Sequence, residues 1–135
     1  MKPHISTITL GVANLGRAVA FYRDGLRLPL ENEAPGAASF DLRGARLLLV
    51  TRDEMVKEAG VFDLGVAGSF GGFVLEHSVA TQPEVEELLR AAHNAGANII
   101  KAATDTNTGG THGYFSDTDG FVWEIAWEPG RNPTE

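Results

Sequence analysis

The segment ISTITLGV, residues 5–12, alternates apolar Ile8, Leu10 and Val12 with Thr7, Thr9 and Gly11. Successive side chains of a strand point to opposite faces, so this alternation predicts a half-buried strand. Asn14 then supplies a helix N-cap, and Leu15, Ala18, Val19, Phe21 and Tyr22 form an apolar helical stripe that Gly25 ends. Three short strands are expected next, at residues 28–33, 37–42 and 45–51, divided by the turn signals Pro35-Gly36 and Arg43-Gly44.

The same order of elements returns further along. At a shift of 67, VANLGRAVAFY (12–22) falls on VATQPEVEELL (79–89), so Val12 meets Val79 and Phe21 meets Leu88. In this second copy Thr81 is the expected N-cap, Pro83 lies in the first turn, Glu84, Glu86 and Glu87 suit the positive helix end, and Gly96 is the stop. At a shift of 76, RGARLLLV (43–50) falls on DGFVWEIA (119–126), which places Leu48 over Glu124. The nine extra residues are expected in loops of the second half. The pattern predicts an α+β fold of two βαβββ modules within one domain, residues 1–135. Module one covers about 1–51, a linker 52–71 carries a short helix within TRDEMVKEAGVF, and module two covers about 72–128 before a short tail.

The closing strand places Trp123, Ile125 and Trp127 on one face and Val122, Glu124 and Ala126 on the other. If both faces are covered, Glu124 is sheltered, and a sheltered carboxylate is costly unless paired, protonated or metal-bound. In GGFVLEHSV (71–79), read as a strand, Phe73, Leu75, His77 and Val79 share the helix-facing side, and Val74, Glu76 and Ser78 the other. His77 reads as a hydrogen-bonded histidine in a mixed core, with a ligand or acid–base role as the alternative. Glu76 shares a face with Glu124, and two neighbouring carboxylates can retain a proton for transfer; the alternative is a solvated rim or an arginine partner. DTNTGGTHGYF (105–115) reads as a mobile rim loop from which His112 can reach a ligand; the alternative is an exposed loop histidine with no chemical role. His4 and His93 have weaker claims. DTDG (117–120) is a turn, since Ala126 occupies the place where a calcium loop needs its bidentate acid.

Composition narrows the classes. With 43% hydrophobic residues, 21% charged and no apolar run of membrane length, a soluble protein is expected, without a membrane partner. Residues 1–16 do not read as a secretory signal, and a cytoplasmic location is expected. A net charge of -7 with scattered Lys and Arg opposes nucleic-acid binding. The absence of cysteine excludes disulfides and thiolate ligands, so any metal must use nitrogen and oxygen donors. Neither a Gly-x-Ser-x-Gly segment nor a phosphate-loop ending is present.

LGVANLGRAVAFYRDGL (10–26) and YFSDTDGFVWEIAW (114–127) resemble the first strand–helix segment and the closing hairpin of the vicinal oxygen chelate superfamily. That superfamily includes glyoxalase I, extradiol dioxygenases, and the fosfomycin- and bleomycin-resistance proteins. The resemblance implies a cupped mixed sheet with helices outside, whose inner face holds a small molecule and often a divalent metal. It puts the metal-ligand positions at Thr7, Leu48, Val74 and Glu124. Only Glu124 is a strong donor, too poor a set for tight zinc, nickel or iron binding, so no tightly bound cofactor is expected and at most a weakly held divalent metal. The expected catalytic set is Glu124, Glu76 and His112, and the ligand-lining set Thr7, Thr9, Leu48, Val74 and Ser78. Three functions stay open: a small-molecule binder without metal, a lyase or isomerase using Glu124 for proton transfer beside a carbonyl, and, third, a metal-dependent glyoxalase or dioxygenase. The resemblance also implies a homodimer.

Overall fold

Alternation in β1 (Thr7–Val12) sends Leu10 and Val12 into a core while Thr7 and Thr9 stay exposed. The computed structural model describes residues 1–61, 63, 65, 69–131 and 133. The chain divides into two units, Met1–Gly65 and Val66–Glu135. The middle of the expected linker (62, 64 and 66–68) and the end of the tail (132, 134 and 135) lie outside the described residues.

In the first unit, α1 (Leu15–Ala20) follows β1, with the Asn14 side chain accepting the Arg17 N–H at 2.9 Å. A π-helical turn, Phe21–Gly25, continues it and ends at the expected Gly25, with Arg27 beyond it in the left-handed region at φ 62. β2 (Leu30–Ala34), β3 (Ala37–Asp41) and β4 (Arg46–Thr51) complete a four-stranded mixed sheet in the order β1-β4-β3-β2. Leu10, Val12, Ala38, Phe40, Leu47 and Leu49 bury one face with Ala18, Val19, Phe21 and Tyr22. Each large side chain so buried contributes about 1.5–3 kcal/mol. The expected linker helix is α2 (Arg52–Ala59), capped by Thr51 and ended by Gly60 at φ 66. Arg52 grips Asp63 through two bonds of 2.6 and 2.7 Å.

The second unit repeats the plan. β5 (Leu75–Ser78) leads to α3 (Gln82–Asn94), then β6 (Asn98–Asp105), β7 (Thr111–Ser116) and β8 (Val122–Trp127), in the sheet order β5-β8-β7-β6. β5 pairs with β8 in parallel, as β1 does with β4. The Glu84 carboxylate accepts the Ala80 and Thr81 N–H groups at the start of α3, and Gly96 beyond its end has φ 107. Val85, Leu89 and Ala92 form the buried stripe of α3, packed on the side of the sheet that holds Phe115 and Ile125. The two βαβββ sheets are those the repeat predicts, with β4 and β8 displaced by 76 positions. The extra residues, however, enter strand as well as loop: β6 has eight residues where β2 has five.

Two further local expectations fail. The strand expected from Gly71 starts at Leu75, because Gly72 adopts φ 86 and breaks the extended run; Phe73 and Val74 are left outside it, each 42% exposed. His77 is exposed instead of lying in a mixed core. Its strand is the sheet edge, and α3 lies over β6, β7 and β8 rather than β5.

Candidate functional site

β8 is an inner strand, and Glu124 at its middle stands between Glu76 on β5 and Tyr114 on β7. Alternation puts Trp123 on the α3 side, its ring stacked at 6.3 Å on that of Phe115, and turns Glu124 to the other side. Two devices fix the neighbouring strands. Gln82 at the start of α3 donates to the Thr111 hydroxyl at 2.9 Å, holding the start of β7. At its other end, Asp117 Oδ1 accepts the Asp119 and Phe121 N–H groups, each at 2.9 Å, and Gly120 at φ 89 closes the turn into β8. DTDG is thus the turn the sequence predicts.

His112 stands opposite Ala126, whose methyl group leaves room for the imidazole to lean towards Glu124. Nδ1 of His112 lies 2.9 Å from Glu124 Oε2, with the two side chains only 20% and 21% exposed. The Tyr114 ring meets the His112 ring edge-on, with centroids 5.3 Å apart. Burial raises the Tyr114 phenol above its ordinary range, and a hydrogen bond to Glu124 and the charges of Glu124 and Glu76 push it the same way. Glu76 sits at the rim, its side chain 42% exposed, accepting from the Ser78 hydroxyl at 3.3 Å, with Arg131 Nη1 3.9 Å away. On β6, Thr104 pairs with His112 and the exposed Lys101 with Tyr114.

The second sheet therefore brings together Glu124, Glu76, Ser78 and His112. Thr7, Thr9 and Leu48 belong to the first unit, where Thr7 pairs with Arg46 and Thr9 with Leu48 on the side of the sheet away from its buried core. Val74 precedes β5 and is exposed. His112 is not on a rim loop as expected. The loop is limited to 106–110, and His112 is a strand residue, because the alternation of Thr111, Gly113 and Phe115 towards α3 carries the strand back past the glycines. The same alternation along 111–116 places Tyr114 beside His112 on that face, a site residue that the period of two signals.

The positions that the family resemblance assigns to a metal do not form a donor set. Leu48 and Val74 have no donor atom, Thr7 offers a neutral hydroxyl, and one Glu124 oxygen is taken by His112. Among the described residues no group of three or more His, Asp or Glu side chains is placed to hold a metal ion.

A family model, Glyoxalase/Bleomycin resistance protein/Dioxygenase superfamily, matches residues 4–125. No curated protein matches the chain. Among solved structures, a glyoxalase-related enzyme from Fulvimarina pelagi is 28% identical, with a TM-score of 0.86 over 94% of this chain and 89% of that one. A glyoxalase/bleomycin resistance protein/dioxygenase from Nocardioides is 22% identical, with a TM-score of 0.79 over 100% and 90%. A lactoylglutathione lyase from Agrobacterium tumefaciens is 22% identical, with a TM-score of 0.71 over 94% and 95%. The last two likenesses carry the fold alone. Among the described residues no helix is long and apolar enough to cross a membrane.

Proposed function

Because the chain belongs to the Glyoxalase/Bleomycin resistance protein/Dioxygenase superfamily, we propose that its second sheet binds a small organic molecule on the face turned away from α3, without a tightly held metal ion. The observation that carries this reading is the 2.9 Å contact of His112 with Glu124 beside the Tyr114 ring. A carboxylate and an imidazole that are four-fifths shielded lose hydration and regain it only in part from each other. Among the described residues the face that holds them carries no helix of its own unit, so their remaining polar capacity is directed at whatever binds there.

Proton transfer is the second reading, favoured by the pairing of His112 with Glu124, since an imidazole steadied by a carboxylate is suited to accept a proton. Here the proton leaves a carbon beside a carbonyl for His112, and the electron pair passes to the carbonyl oxygen. Titration of isotope-labelled protein with a fragment library, followed by NMR, tests the binding reading. Binders should shift His112, Tyr114 and Glu124 together and saturably. A library in which no member moves these three resonances refutes it.

A further inference from the structure

A carboxylate can only accept a hydrogen bond, so the contact at Glu124 Oε2 requires the hydrogen on His112 Nδ1. In neutral imidazole one nitrogen carries the hydrogen and the other the lone pair, so Nε2 is left as the acceptor. Among the described residues no group donates to Nε2. The Tyr114 ring meets the His112 ring edge-on with centroids 5.3 Å apart, so the imidazole is steadied by this ring as well as by Glu124. The charges nearest this point are carboxylates, Glu124 at contact and Glu76 beside it on β5. The nearby cations, Arg131 and Lys101, are exposed, and Arg131 leans on Glu76 and Glu128 at 3.9 and 3.6 Å.

We infer that His112, held as the Nδ1–H tautomer by Glu124, presents Nε2 as the acceptor of the site, so the compound bound here is a neutral hydrogen-bond donor, such as a hydroxyl compound, and not a carboxylate or phosphate. This rests on the small-molecule reading above and adds the ligand's chemical class. An anion would meet a lone pair and two carboxylates where it needs donors. A hydroxyl meets an acceptor whose partner nitrogen is already fixed, so no reorientation is needed on binding.

The test uses protein labelled with 15N-histidine, with the His112 signals identified by their loss in His112→Asn. At a pH above the imidazole range, wild type should show a pyrrole-like Nδ1 and a pyridine-like Nε2. Glu124→Ala should reverse this, since imidazole without a partner favours the Nε2–H form. Phenol and benzoate, alike in shape and different in charge, are then titrated. Phenol should shift the Nε2 signal saturably, and His112→Ala should weaken phenol by roughly fivefold or more, the worth of one hydrogen bond. An Nε2–H tautomer in wild type overturns the inference whatever binds, as does benzoate binding at these residues as tightly as phenol; both leave the binding reading standing. A correct tautomer with no response to either probe overturns the ligand class, and the fragment titration then decides whether the binding reading falls with it.

Discussion

Gly113→Ala places a methyl group between the two residues that matter most on β7, on the α3 side. That methyl carbon would come 2.5 Å from Leu89 Cδ1, 2.9 Å from the Lys101 carbonyl oxygen and 3.3 Å from the Ala103 nitrogen. Unstrained carbon contacts lie at about 3.5–4.0 Å. Leu89, 5% exposed, can swing only into its neighbours, and the Lys101 oxygen is main chain, so relief requires β6 to part from β7. Overpacking of this kind costs about 1–3 kcal/mol. Alanine restricts the unfolded chain more than glycine does, which returns about 0.4–1 kcal/mol. At the middle of both ranges the net loss is about 1.3 kcal/mol, a fall in Tm of roughly 4–7 °C at this chain length. Thermal and urea unfolding followed by circular dichroism measure it, with Gly16→Ala as control. Gly16 is exposed on α1 and a methyl there would meet only Asn14 Oδ1, at 3.6 Å, so that variant should be neutral or more stable by up to about 1 kcal/mol. If Gly113→Ala melts with or above wild type, the close seating of α3 and β6 behind the site is wrong.

Glu124→Gln keeps the volume and an acceptor for His112 but loses the charge, so it should impair ligand binding or turnover while changing stability by less than about 1 kcal/mol. Trp123→Ala removes a half-buried ring stacked on Phe115 and should cost about 3 kcal/mol; equal losses of stability in the two variants would assign Glu124 to the scaffold. Elemental analysis of protein purified without chelator should find no stoichiometric transition metal, and one equivalent of zinc, nickel, manganese or iron surviving dialysis would overturn the ligand-position argument. Light scattering should return the mass of a homodimer, and a monomer mass at micromolar concentration would reject that assembly.

Period and turn chemistry made the fold legible. The alternation in β1 and β8, the caps Asn14 and Thr81, and the matched segments 67 and 76 positions apart are local signals, and each survives in the described structure. The site was legible where it depended on alternation alone, which set Glu124 and Glu76 on one face. It was illegible where neighbours decide. His77 looked like core because its strand neighbours Leu75 and Val79 are apolar, yet whether a helix covers an edge strand is set by packing. His112 looked like loop because Gly109 and Gly110 precede it. In fact Gly110 is buried, and a Cβ there would press on the Trp127 carbonyl, so the second of those glycines marks a close approach of backbones rather than slack.

Among the described residues β8 is the last strand of the second unit in chain order, and it is an inner strand of its sheet. The first unit has all four of its strands once synthesis reaches Thr51, but Leu75 on β5 must wait for Trp123 before it has a neighbour. Sheets closed by so distant a pairing form late and slowly. A nascent chain therefore carries a finished first unit ahead of an open second one, with the edge of β7 open and the apolar stripe of α3 covered only in part until β8 leaves the ribosome. A chain cut short before Val122 lacks Glu124 and leaves Glu76 on β5 without its strand neighbour, so the site is lost together with the cooperative folding of the second unit.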